Sequence, residues 1–268
     1  MKVSTLYNIY KQISLFKNMK GVILAGGKGT RLWPLTVVTN KHLVPVGNLP
    51  MIEYPLFTIK NLGVDSISVV TGGEHFKDIA GYLGELHHEI DFSYHYQPKA
   101  IGIAQALSLT EKFVNNGKLA VILGDNIFED DFYEESKKFE KEDFSATLFL
   151  KEVNDPERFG VAEIKGNKII SIEEKPKKPK SNLSVTGLYF YDSTVFDRIK
   201  KLKPSPRGEY EITDVNNSYV LDGKVSFHIV KGFWGDAGTH DSRNSCEEFI
   251  KNGLEKKVFS FLKNKRQQ

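Results

Sequence analysis

The chain has 268 residues with 40% hydrophobic and 12% aromatic content, enough apolar material for one large core or two small ones. A formal net charge of +3 does not point to a general polyanion binder, and the single cysteine, Cys246, excludes an intramolecular disulfide and any cysteine-based zinc site. No apolar run approaches the length of a membrane-spanning helix. The charge is unevenly spread: no acidic residue precedes Glu53, whereas Lys2, Lys11, Lys17, Lys20, Lys28, Arg31 and Lys41 all precede it. That asymmetry fits a local phosphate site better than a nucleic-acid surface.

Residues 1–18 are mildly basic and amphipathic but lack the apolar core of a secretory signal, so a cytoplasmic enzyme is expected. The segment reads either as an extra helix or as an upstream start preceding Met19. The segment Lys20–Arg31, KGVILAGGKGTR, then opens as a buried strand (Val22, Ile23, Leu24, Ala25) and breaks into glycines. Gly26, Gly27 and Gly29 let backbone N–H groups face a phosphate, and Lys28, Thr30 and Arg31 add donors and charge. The loop matches neither the Walker A spacing, because Gly29 follows Lys28, nor the dinucleotide fingerprint, because Leu32 occupies its last glycine position. By itself the cluster reads equally well as an ordinary glycine-rich turn.

Strand and helix patterns then alternate. A helical stretch near 51–62 precedes a strand at 66–70, and Glu74–Leu86 reads as a helix. A strand at Phe92–Tyr96, a helix over Gly102–Phe113 and a strand at Leu119–Leu123 follow, the last ending in Gly124-Asp125-Asn126. This alternation predicts an α/β fold with a Rossmann-like, mostly parallel sheet and helices on both faces. Ligands of such sheets sit beyond the carboxyl ends of the strands, where the glycine loop and Asp125 both fall. The second half predicts strands at 146–153, 160–164, 168–175 and 185–191, with a turn at Gly166-Asn167 and a helix from about Thr194. The KPKKPK stretch at 175–180 is short enough to be a surface loop.

Several segments, in order, resemble the nucleotidylyltransferases that join a nucleotide to a sugar 1-phosphate, and most closely the glucose-1-phosphate thymidylyltransferases. They are LAGGKGTRL (24–32), NKHLVPV (40–46), PMIEYPL (50–56), LGDNIF (123–128), NDPERFGVAE (154–163), EEKP (173–176), VTGLYFYD (185–192), RGEYEITDVN (207–216) and WGDAGTH (234–240). The resemblance implies a nucleotidyltransferase domain over 19–240 with a smaller β-rich sugar-binding extension, followed by a helical tail over 241–268. It implies transfer from dTTP to glucose 1-phosphate, with UTP or another hexose 1-phosphate as alternative substrates and no nucleic-acid or membrane partner. A silent nucleotide-sugar sensor and a glycosyltransferase are the rivals from other classes. The first need not retain the whole charge apparatus, and the second does not need a GGKGTR loop.

The chemistry needs cations and metal-binding carboxylates rather than a general base, since the attacking phosphate is already anionic. By resemblance Arg31 grips the β- and γ-phosphates, Lys41 lies along the α-phosphate, and Lys175 holds the sugar phosphate. Leu24, Gly26, Gly27, Gly29, Thr30, Arg31, Gln97, Gly102 and Asp125 match nucleotide-binding positions, with Gln97 pairing with a pyrimidine edge. Gly160, Glu174, Lys175, Val185 and Trp234 match sugar-binding positions. Asp125 and Asp236 match the positions that hold Mg²⁺, although each alone reads as a turn or loop aspartate.

Two departures stand out. His42 replaces a common glutamine and, as a neutral ring, is expected to donate one hydrogen bond there. The tail 241–268, expected to be one helix, stands where well-studied relatives build a regulatory nucleotide site between subunits. The resemblance therefore does not carry over their feedback inhibition or tetramer, and a homo-oligomer of some size is left open.

Overall fold

A computed structural model of the chain describes residues 19–73 and 75–263; the expectations for 1–18 and for Glu74 lie outside them. The core is a nine-stranded sheet built from β1 (Lys20–Ala25), β4 (Ser66–Thr71), β5 (Asp91–Tyr96), β6 (Leu119–Leu123), β8 (Ala146–Glu152), β9 (Gly160–Lys165), β10 (Lys168–Glu174), β11 (Leu183–Tyr191) and β12 (Val225–Ile229). Two small ladders lie apart from it. One joins β2 (Pro45–Val46) to β3 (Leu49–Pro50), and the other joins β7 (Asn126–Phe128) to β13 (Trp234–Asp236).

The strands β6, β1, β4 and β5 run parallel, as the alternating pattern requires, with Leu24 opposite both Val70 and Leu123. The long strand β11 then pairs antiparallel with β6 and β8 and makes the sheet mixed. Its edge toward β6 pairs through Leu188–Tyr191 and meets β9 at Ser184. Between those pairings lie Val185, Thr186 and Gly187, which line a cavity on that edge, although Val185 pairs with Leu150 of β8 on the other. The α/β architecture is the one expected from the sequence.

Successive side chains of β1 feed different cores: Val22 and Leu24 enter one cluster, Ile23 and Ala25 the other, all buried. This is why the strand reads as an unbroken apolar run. Helices α1 (Glu53–Asn61), α2 (Phe76–Leu86) and α5 (Tyr133–Lys141) cover the Ile23 side through Leu56, Ile59, Ile79, Leu83 and Phe139. Helices α3 (Ile103–Ser108), α6 (Thr194–Ile199) and α7 (Ile212–Leu221) cover the Val22 side through Leu107, Phe196, Val215 and Tyr219. Each fully buried aliphatic side chain contributes roughly 1.5–3 kcal/mol of transfer free energy.

Two helices differ from expectation. The stretch 102–113 is divided into α3 and α4 (Glu111–Val114). At the junction Ser108 Oγ donates to Gln105 O at 2.7 Å and Thr110 Oγ1 to Leu107 O at 2.8 Å, hydroxyls that compete with the helical ladder. The tail forms two helices, α8 (His240–Ile250) and α9 (Leu254–Lys263), parted at Gly253 with φ 133°. A capping box between Thr239 and Ser242 starts α8. Ile250, Leu254 and Val258 pack with Tyr54, Ile127 and Ala237 into a third core beneath the β7–β13 ladder.

Candidate active site

A cavity of 640 Å³ opens beyond the carboxyl ends of β1 and β6 and runs under β9–β11. Its floor is the glycine loop. Gly29 has φ 68°, and a Cβ there would stand 2.7 Å from Thr36 Cγ2, so the turn requires glycine. The loop tightens into a single helical turn over Thr30–Leu32, whose buried Leu32 anchors it while Arg31 projects into the cavity. Leu24, Gly26, Gly27, Lys41, Gln97, Gly102, Asp125, Gly160, Glu174, Lys175, Val185, Trp234 and Asp236 also line the cavity. Gly29 and Thr30 shape the loop without lining it.

Asp125 and Asp236, over a hundred residues apart in sequence, are brought together by the β7–β13 ladder. Asn126 pairs with Asp236, and Ala237 N donates to Asp125 O at 2.8 Å. A Cβ built on Gly238 would lie 2.7 Å from Asp236 Oδ1, 3.1 Å from Arg31 Nη2 and 3.4 Å from Asp125 Oδ2. Two carboxylates and a guanidinium therefore converge on one point. Lys41 Nζ donates to Asp125 Oδ2 in a buried ion pair, and Asn126 Nδ2 donates to Asp125 Oδ1 at 3.0 Å.

These neighbours divide the two acids. Burial pushes the Asp125 carboxyl upward, but the charge of Lys41 and the hydrogen bonds from Lys41 and Asn126 outweigh it and hold the group well below the usual range. Asp236 accepts only a backbone bond, from Gly238 N at 2.8 Å. Burial, and then the charge of Asp125, outweigh it and the more distant charges of Lys41 and Arg31 and raise the carboxyl to about 6. His42 is driven the other way, to about 3, by burial and the adjacent Lys41. Its Nδ1 lies 2.9 Å from Asn40 Oδ1, which places the ring proton on Nδ1 and leaves Nε2 as an acceptor. The donor expected from the sequence is thus committed to Asn40.

At the base-binding end Gln97 is buried, its Nε2 donating to Gln105 Oε1 at 2.8 Å and its backbone N–H to Thr71 O at 2.8 Å. At the sugar end Thr213 Oγ1 donates to Glu174 Oε2 at 2.6 Å, fixing a carboxylate that also stands 3.6 Å from the Arg207 guanidinium. Lys175 takes the left-handed conformation (φ 47°), with its N–H bonded to Phe159 O at 2.9 Å. Trp234 packs at 5.0 Å from Phe159 and donates from Nε1 to Asn126 Oδ1 at 2.7 Å.

Sequence reasoning missed several lining residues. Asn126 is the hub, accepting from Trp234 and Gly187 and donating to Asp125. Thr213 orients Glu174, and Arg158 lines both this cavity and an adjoining one of 500 Å³ that shares Arg31, Trp234 and Asp236. All three lie inside the quoted segments, LGDNIF, RGEYEITDVN and NDPERFGVAE, so the segments carried a signal that single-residue reading passed over.

The model of the nucleotidyl transferase family matches residues 20–253. The chain belongs to that family. A glucose-1-phosphate thymidylyltransferase of Neisseria meningitidis is 45% identical over 237 residues, covering 87% of this chain and 82% of that one. The Xanthomonas campestris (strain B100) protein of the same name is 42% identical over 236 residues, covering 86% and 80%. A Bacillus anthracis crystal structure, of a candidate enzyme of that name in complex with sucrose, has a TM-score of 0.82 and 51% identity over 87% of this chain and 95% of that one. A UDP-glucose pyrophosphorylase complexed with UDP-glucose, at 24% identity and a TM-score of 0.78 over 87% of this chain and 98% of that one, shares the fold. The chain is a nucleotidyltransferase, grouped with the glucose-1-phosphate thymidylyltransferases. No helix of the described residues is long and apolar enough to cross a membrane.

Proposed function

We propose that the cavity transfers a thymidylyl group from dTTP to glucose 1-phosphate, giving dTDP-glucose and pyrophosphate. The observation that carries this reading is the convergence of Asp125, Asp236 and Arg31 on one point with Lys41 alongside. The names of the relatives at 42–45% identity support it.

An oxygen of the sugar phosphate attacks the α-phosphorus in line. The new P–O bond forms as the bond to the β-phosphate breaks, and pyrophosphate leaves with the electron pair. The nucleophile arrives ionised, so the protein has only to position and neutralise. Arg31 holds the β- and γ-phosphates and the charge that grows on the leaving group. Lys41 exchanges Asp125 for the α-phosphate, and Lys175 holds the sugar phosphate. Gln97, oriented by Gln105, pairs one donor and one acceptor with the pyrimidine edge beside Gly102. Glu174 accepts from sugar hydroxyls, within walls formed by Gly160, Val185 and Trp234.

Asp125 and Asp236 suit Mg²⁺. Their oxygens are hard donors, and their mutual repulsion in a buried space is what a divalent cation relieves. Two carboxylates would leave the remaining coordination positions to phosphate oxygens and water. When bound, Mg²⁺ supplies neutralisation of the phosphate charge. Leu24 and Ile103 line the same cavity as Gln97 and offer apolar surface for a thymine methyl.

The test is pyrophosphate release by purified protein in Mg²⁺ across a panel of nucleotides and hexose 1-phosphates. Release should require both substrates, with dTTP ahead of dUTP by about fourfold, the worth of one buried methyl (~0.8 kcal/mol). Silence across the whole panel overturns the reading.

A further inference from the structure

Strand β13, which carries Asp236, pairs with only three residues of β7. A two-stranded ladder that short specifies its register weakly, and a slip of one residue would turn Asp236 to the opposite face. Yet the segment entering β13 is held at nearly every backbone polar group by side chains from elsewhere in the fold.

Glu129 and Asp130 directly follow β7 and continue the ladder past its end. Glu129 N donates to Phe233 O at 3.0 Å, and Glu129 Oε2 accepts from Phe233 N at 2.9 Å. Asp130 then spans two residues at once, Oδ1 accepting from Gly232 N at 2.8 Å and Oδ2 from Lys231 N at 2.9 Å. A Cβ at Gly232 would overlap Asp130 Oδ1, so this fit requires glycine. From the other side Lys151 Nζ, on β8, donates to the carbonyls of Val230, Lys231 and Gly232 at 3.3, 3.0 and 2.6 Å. Val230 N is tied to Leu150 O at 2.8 Å.

The geometry closes a loop. Asp125 lies five residues before Asp130, and Asp236 lies four residues after Gly232. The chain segment that carries one carboxylate thus grips the segment that carries the other. We propose that Asp130 and Lys151, assisted by Glu129, are positioning residues that lock the β7–β13 register, Asp236 against Asn126, and so hold Asp236 beside Asp125. This rests on the reading that those two aspartates hold the divalent cation. None of the three touches substrate; they act through the backbone of 230–233.

The test uses the full chain and Mn²⁺ alone as the probe, its binding followed by electron paramagnetic resonance. Asp130→Ala and Lys151→Met should each weaken Mn²⁺ binding about tenfold, as loss of outer-shell support does elsewhere. Asp130→Asn, which keeps one acceptor oxygen, should fall between. In turnover, half-saturation by Mg²⁺ should rise by the same factor, while the KM values for both substrates at saturating Mg²⁺ stay at wild type. A merely structural role would lower the thermal midpoint without moving the Mn²⁺ dissociation constant of the folded protein, and that result overturns the proposal. If Asp130→Ala does not fold, Asp130→Asn and Lys151→Met decide the matter on the same criterion. If wild type and Asp125→Asn/Asp236→Asn bind Mn²⁺ equally, the cation reading itself falls, and the proposal falls with it.

Discussion

Lys41 Nζ donates to Asp125 Oδ2 at the back of the cavity, where the two side chains are only 8% and 13% exposed. One partner comes from the short turn that follows the glycine loop and the other from the carboxyl end of β6, so the pair joins the two strand-end loops of the site. A pair this buried stabilises little beyond its own desolvation, but deleting one member strands a charge, at about 3–5 kcal/mol.

Lys41→Met should therefore lower the unfolding free energy by about 3 kcal/mol. Part of that loss should return in excess Mg²⁺, because the cation replaces the missing ammonium on Asp125. Urea unfolding with and without Mg²⁺ measures both effects. A variant as stable as wild type, or one indifferent to Mg²⁺, contradicts the role given to this pair.

The pH dependence of stability follows from Asp236. Burial, reinforced by the charge of Asp125, raises its carboxyl from 3.8 to about 6. The folded state thus binds a proton that the unfolded chain has already released. That contribution is complete below about pH 4 and is lost as the pH climbs through 6. In metal-free buffer, wild type should lose stability relative to Asp236→Asn between pH 4 and 6, by on the order of 2 kcal/mol, and run parallel to it above. Unfolding curves at four pH values decide it; parallel behaviour throughout the range would count against the assigned environment.

A Cβ at Gly26 would overlap Gln97 Oε1. Gly26→Ala should displace the glutamine from the base and raise the KM for dTTP about tenfold, while leaving the KM for glucose 1-phosphate near wild type. Steady-state kinetics with each substrate varied separately show whether the loss is confined to the nucleotide.

Trp234→Phe keeps the aromatic wall but removes the 2.7 Å hydrogen bond to Asn126 Oδ1, a loss of about 1 kcal/mol. Asn126 retains its bond from Gly187 N. The expected outcome is a KM for the sugar phosphate raised about fivefold with the fold unchanged, read by kinetics beside thermal unfolding. An unchanged KM removes Trp234 from the sugar wall.

The parallel sheet was legible because β1 and β6 leave continuous apolar runs, and β4 keeps Ile67, Val69 and Val70 between its hydroxyl residues, signals that survive without tertiary information. The glycine loop was legible as a turn at a strand end, and its meaning depended on residues far away. What local reading missed has a common cause. The convergence of Asp125 with Asp236 depends on β7 and β13, three residues each and too short to show a period. The orientation of His42 depends on Asn40, two residues earlier, whose side chain claims the ring proton. The division of 102–113 came from Ser108 and Thr110 bonding back to the helix, a competition that apolar periodicity does not register.

The central claim is that Asp125, Asp236, Arg31 and Lys41 form one charge-neutralising transfer site. Its most direct test is pyrophosphate release from dTTP and glucose 1-phosphate in Mg²⁺, comparing wild type with Asp125→Asn, Asp236→Asn and the double variant. Wild type should release pyrophosphate only when both substrates are present. Each single variant should fall by at least about a hundredfold, and the double variant no further than the worse single, as expected of residues that act as a unit. A folded double variant that turns over at the wild-type rate would contradict the account.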